Sequence, residues 1–145
     1  MTATFSKFNA FTYELGEGVI NLNSDTLKVM LTNTAPVATN TLYGDISSGE
    51  VASGNGYTTG GNTASLTSWS QTSGVAKLIL ANPATWTASG GSIGPFRYAV
   101  LYDSTPTSPL KPLIGWYDYG SAVTLTVGEQ FQVAFDATNG VFTIT

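Results

Sequence analysis

From Asp25 onward the chain is written in short runs of alternating side chains, and this period of two limits its fold more than any other feature. In "DTLKVMLTN", Leu27, Val29 and Leu31 point one way while Lys28, Met30 and Thr32 point the other, the pattern of a strand. Further strand-like runs fall near residues 63–70, 75–81, 84–88, 95–103, 111–119, 121–127, 129–136 and 140–145. "TSGV", "NPA", "SGGSIG", "VGEQ" and "DATNGV" punctuate them as turns, the last with an Asn-Gly pair suited to positive φ. Runs of this length and spacing predict an all-β fold, a single antiparallel β-sandwich of the jelly-roll type with about eight strands. At 145 residues the chain fits one domain, which buries roughly 68–70% of its unfolded surface. No repeat or linker divides it.

Two segments depart from that pattern. Phe5, Phe8, Phe11 or Thr12, and Leu15 recur at helical spacing, with Ser6 as a candidate cap and Gly16 and Gly18 as stop signals, so the spacing predicts a short helix over 7–15. Residues 1–20 are therefore read as an N-terminal arm or short helix ahead of a β-domain spanning 21–145. The second departure is residues 33–62, rich in Thr, Asn, Ser and Gly, where only Val37, Leu42, Tyr43, Ile46 and Val51 offer core anchors. A connection this long is either functional or covered by a neighbour, and "YGDISSGEV" within it suits a helical turn.

Composition excludes several functions. Five basic and nine acidic residues give a net charge of −4 with no basic cluster, which argues against nucleic acid and against anionic membrane surfaces. The chain holds no His and no Cys, so zinc-thiolate sites, thiol nucleophiles and every His-based relay are excluded. The N-terminus lacks the apolar core of a signal peptide, and no window reaches the roughly 20 apolar residues of a membrane span, so a protein made and folded in a cytoplasm is expected. Only 10% of residues are charged, against about 25% in an ordinary soluble domain. Part of the surface is therefore expected to be an interface.

The stretch 94–120 is the most aromatic and reads as a hairpin. Strict alternation sets Phe96, Tyr98, Val100 and Tyr102 on one face and Arg97, Ala99, Leu101 and Asp103 on the other; its partner alternates Leu113, Gly115, Tyr117 and Tyr119 with Ile114, Trp116 and Asp118. Both faces are half apolar. Something must cover the second one, either a folded-back segment or another subunit. A ligand cleft is the competing reading, in which Trp69, Trp86, Trp116 and Tyr117 stack on sugar faces while Asp and Arg bind hydroxyls.

For chemistry only carboxylates are at hand, and glycoside hydrolysis needs just two of them. Asp103 and Asp118 are the candidate pair across the hairpin, yet each sits beside turn residues where Asp ordinarily serves turn geometry. No D-x-[DN]-x-[DN]-G calcium loop occurs, and "GEVASGNGYTTGGN" lacks the Lys and the strand-helix context of a phosphate loop. No catalytic residue, metal or cofactor is expected.

The blocks "SDTLKVMLTNTAPVATNT", "GNGYTTGG", "FRYAVLYDSTPTSPLKPLIGWYDYG" and "VTLTVGEQFQVAFDATNGVF", in that order, resemble a family of small virion proteins encoded beside the capsid genes of tailed bacteriophages. Members look like capsid decoration (cement) proteins or related head and tail appendages, built as jelly-roll domains that often form trimers. The similarity runs from about residue 5 to the end. It implies a non-enzymatic structural protein that decorates and stabilises the capsid as a homotrimer, with its own copies and the major capsid protein as partners. It also implies residence in the virion after assembly in the host cytoplasm. On this reading the candidate contacts between subunits or with the capsid are Phe5, Phe8, Phe11, Val37, Tyr43, Tyr57, Leu101 and Trp116. The alternative is a carbohydrate-binding module of a phage fibre or another glycan-binding protein.

Overall fold

Pairing is densest where the sequence is most apolar. The computed structural model, which describes residues 3–145, sets β2 (Leu27–Thr32) beside β7 (Ile93–Asp103), and β7 beside β8 (Leu113–Leu125). β1 (Phe5–Lys7) and β3 (Asn62–Thr63) complete an antiparallel five-stranded sheet in the order β1-β8-β7-β2-β3. β4 (Leu66–Thr72) and β5 (Val75–Leu80) form a hairpin through Ser73 and Gly74, both at positive φ, and β10 (Phe142–Ile144) pairs with the other side of β5. A two-stranded ribbon joins β6 (Trp86–Thr87) to β9 (Gln130–Phe131). The described residues are mostly antiparallel β-structure with one α-helix, α1 (Asn9–Gly16), consistent with an all-β sandwich.

The large sheet is buried on both faces, and its alternation sorts side chains into two cores. Leu27, Val29, Leu31, Ala99, Leu101 and Ile114 pack with Leu78 and Leu80 of the small sheet and with Trp86. Met30, Val100, Tyr102 and Leu113 enter a second core with Phe8 and Ile46, flanked by Tyr43, Tyr98 and Trp116. The covering required by the two-sided apolar pattern is thus supplied by the chain itself. Two 3-10 turns, Tyr43–Asp45 and Ser47–Gly49, fold the 33–62 connection across the second face.

Strict alternation fails at two points of the aromatic hairpin. Leu101 pairs with Gly115 and Tyr102 with Leu113, so Ile114 is an extra residue in the ladder, and Trp116 shares the core of Leu113 instead of that of Ile114. A second register shift, between Phe96 and Tyr98, turns Phe96 into the core of Ala99 and Leu101. The expected strands at 111–119 and 121–127 are one continuous strand of 13 residues, because Gly120 takes positive φ inside it and bends it without ending it. Of the expected strand 129–136 only two residues join a ladder.

The N-terminal segment belongs to the sheet. Phe5, Ser6 and Lys7 pair with Tyr117, Trp116 and Gly115, and a Cβ on Gly115 would run into the Phe5 ring and stand 2.6 Å from the Ser6 carbonyl oxygen. Only glycine admits β1 at that register. Ser6 therefore caps nothing; the N-cap of α1 is Phe8, with no side-chain cap bond. Phe8 and Phe11, on either side of the helix start, enter the two different cores.

Candidate functional site

The structure separates the predicted contact residues into core and surface. Phe8, Phe11, Tyr57 and Leu101 are at most 2% exposed, so as candidate contacts they are corrected to core positions: each fills space inside the subunit and presents no surface. Trp86, a predicted sugar platform, is 1% exposed and packs between Tyr57 and Phe131, which removes it from that role. Phe5, Tyr43, Trp116, Trp69 and Tyr117 are half-buried, and Val37 is exposed. Phe5 rests on Phe142 and Tyr117, and Trp116 leans on Phe8 with ring centres 4.6 Å apart. Trp69 stands 6.3 Å from Phe142.

Seven of the nine carboxylates have named local tasks. Asp45 accepts backbone N–H bonds from Thr41 and Leu42 at 2.8 and 3.0 Å, which hold its carboxyl below the usual carboxylate range. Glu129 and Asp136 close turns on Thr126 and on Thr138 and Asn139 in the same way. Asp118 takes a two-pronged bond from Arg97 at 2.8 and 3.0 Å plus the Gly120 N–H. Asp25 accepts the Asn21 N–H, and Asp103 accepts the Thr105 N–H. Asp103 and Asp118 do not form the pair suggested by the hairpin. Asp118 faces Tyr98, five residues from Asp103, a separation of roughly 17 Å along the strand.

Glu50 organises the long connection. Its carboxylate accepts the Tyr57 hydroxyl at 2.7 Å, the Gly60 N–H at 2.6 Å and the Tyr43 hydroxyl. The Tyr57 oxygen in turn accepts the Leu31 N–H, and the Tyr102 hydroxyl donates to the Gly60 carbonyl. Burial, and secondarily the Glu50 carboxylate, pushes the phenols of Tyr43, Tyr57 and Tyr102 well above their ordinary value; burial alone lifts Tyr117 to about 12. These groups keep their protons longer in the folded chain than in the unfolded one. Their contribution to stability is complete below about pH 10 and is lost as pH rises toward the folded values. In an ultraviolet absorbance titration, phenolates at these four positions are expected to appear only with alkaline unfolding. Their appearance near pH 10 in a chain that keeps its native circular dichroism would contradict these environments.

Two surface features remain. One is a cleft of about 300 Å³ between the β7–β8 ladder and residues 131–134, lined by Phe96, Arg97, Tyr117, Tyr119, Phe131 and Gln132 among others. Tyr119 is 43% exposed and meets Phe131 edge-on at 5.6 Å, and Arg97, which pairs with Asp118, is part of the lining. Of the candidate sugar-stacking rings Trp69, Trp86, Trp116 and Tyr117, Tyr117 lines this cleft, where it is joined by Tyr119, Phe131 and Gln132. The other is the outer edge of β4, which among the described residues pairs only with β5 and carries no charged residue and no proline.

Among the described residues no helix is long and apolar enough to cross a membrane. Comparisons with protein-family models, curated proteins and solved structures found no match to this chain.

Proposed function

We propose that this chain is a non-enzymatic structural protein of a tailed-bacteriophage virion, a jelly-roll subunit that decorates and stabilises the capsid as a homotrimer bound to the major capsid protein. The observation that carries the reading is the β4 edge. A seven-residue strand edge with neither charge nor proline invites pairing with another chain, and proteins that stay alone usually blunt such edges. The exposed Val37, Leu110 and Val127 add apolar contact points to a surface poor in charge. The local tasks of the carboxylates support a role without chemistry.

Quantitative mass spectrometry of purified virions tests this. A copy number comparable to that of the major capsid protein, with loss of DNA at lower temperature from particles lacking the protein, is the expected outcome. A handful of copies, or unchanged particle stability, would overturn it.

The cleft supports a second reading, a carbohydrate-binding module. Its volume lies at the lower end of the range for small-molecule sites, and it offers Tyr and Phe rings beside the Arg97 guanidinium and Gln132. A glycan panel followed by NMR chemical shifts should perturb residues 96–99 and 117–119, and Tyr119→Ala should weaken binding roughly 2–13-fold, the loss of about 0.5–1.5 kcal/mol of stacking. No response across the panel removes this reading.

A further inference from the structure

The backbone groups on the open edge of β4 can be assigned one by one. β4 turns into β5 through the two-residue loop Ser73-Gly74, both at positive φ, so Thr72 and Val75 form the closing hydrogen-bonded pair. Alternation along the ladder then bonds Ser70 to Lys77 and Ser68 to Ile79, and it turns the N–H and C=O groups of Trp69 and Gln71 toward the open side. Among the described residues no other backbone bond engages these four groups. Toward its start the strand shifts register between Leu66 and Ser68, a bulge that limits the regular edge to residues 68–72.

We propose that this edge pairs with β4 of a second copy of the chain, antiparallel about a two-fold axis, with Ser70 facing the partner's Ser70. This register sets Trp69 against the partner's Gln71 and Gln71 against the partner's Trp69, so all four open groups of each strand find a mate. A pair centred on Trp69 would instead send Gln71 to the bulged stretch at Thr67. The side chains are close to self-complementary about Ser70. Ser68 meets the partner's Thr72, and hydroxyl pairs of this kind favour antiparallel strands. Charge also selects a second copy. Residues 68–72 carry no ionisable side chain to repel their own copy, and Lys77, opposite Ser70 on β5, would stand about 14 Å from the partner's Lys77, beyond the screening length of about 8 Å. Five residues a side is a fraction of the roughly 20–30 in a standard interface, so the pairing is weak and matters where copies are already held side by side. The inference rests on reading β4 as an interface edge, and in a shell of trimers such a contact joins subunits of neighbouring trimers.

The chain has no Cys, so single substitutions report the pairing without background. In a glutathione redox buffer, full-length Ser70→Cys should form at least about tenfold more disulfide dimer than Ser24→Cys, an exposed position in the 21–26 turn. The reason is geometric: a non-hydrogen-bonded antiparallel pair sets its Cα atoms about 4.5 Å apart, within disulfide reach. Thr72→Cys should not cross-link to itself, because its copies would lie roughly 14 Å apart along the strands, but it should cross-link to Ser68→Cys when the two are mixed. Native circular dichroism of each reduced variant shows that it folds. Ser70→Cys dimerising no better than Ser24→Cys overturns the inference, and so does Thr72→Cys linking to itself as readily as Ser70→Cys, the result of random collision or of another register. Either result leaves the virion reading to its own copy-number test, with the β4 edge open to the capsid protein.

Discussion

Leu101→Asp is expected to yield a chain that does not fold at 25 °C. Leu101 is 1% exposed, near the C-terminal end of β7, and packs in the core shared by the two larger sheets. Removing it forfeits about 2–3 kcal/mol of apolar burial, and the new carboxylate would sit where no donor is available. Together the loss exceeds about 4–5 kcal/mol, comparable to the whole stability of many domains of this size. Leu101→Ala separates the two parts: it should fold and lose about 2–5 kcal/mol in urea denaturation. The same experiment decides how the aromatic hairpin is used. A Leu101→Asp chain that stays folded and only becomes monomeric would place Leu101 at a subunit interface and contradict its position in the core.

Glu50→Ala is expected to produce the second-largest effect, and a more local one. It leaves the hydroxyls of Tyr43 and Tyr57 and the Gly60 N–H without their shared acceptor. Hydrogen bonds to a charged acceptor contribute about 1.5–3 kcal/mol each but are not additive within one network, so a total loss of about 2–4 kcal/mol is expected. The damage should concentrate in the connection between β2 and β3, which has few apolar anchors of its own. Amide hydrogen exchange at residues 41–61 should speed up before that of β7 and β8 changes. Uniform acceleration across all strands, or none, would show that Glu50 does not hold this segment. Glu50→Gln should recover part of the loss, since its carbonyl still accepts two of the three bonds.

Much of this architecture was legible because it depends on local rules. Ser73-Gly74 marked the β4–β5 hairpin through its demand for positive φ, and the period of two placed β2, β5 and β7 within a residue or two. The helix near the N-terminus was also legible from spacing, although not its start, because the short strand ahead of it depends on Gly115 more than a hundred residues away. The faces of β7 and β8 were misread. A single extra residue at Ile114 inverts every side chain beyond it, and nothing in the run "PLIGWYDY" marks a bulge. That slip moved Trp116 to the other face and assembled the Tyr119–Phe131 cleft from residues with no common motif.

The sequence by itself determined that the chain makes antiparallel sheets, and that the sheet through β7 is apolar on both faces, because alternation and turn chemistry act within a few residues. It also determined what the protein has to work with, oxygen ligands and aromatic rings without His or Cys. Only the tertiary structure decided what covers the second face: Phe8, Tyr43 and Ile46 of the same chain occupy it over Met30, Val100 and Tyr102, while Leu101 and Tyr57 fill the core on the other side. It also decided which carboxylates serve turns and that Asp103 is buried. Burial arises between residues distant in sequence, and ladder register, which one bulge can shift, sets which of them touch.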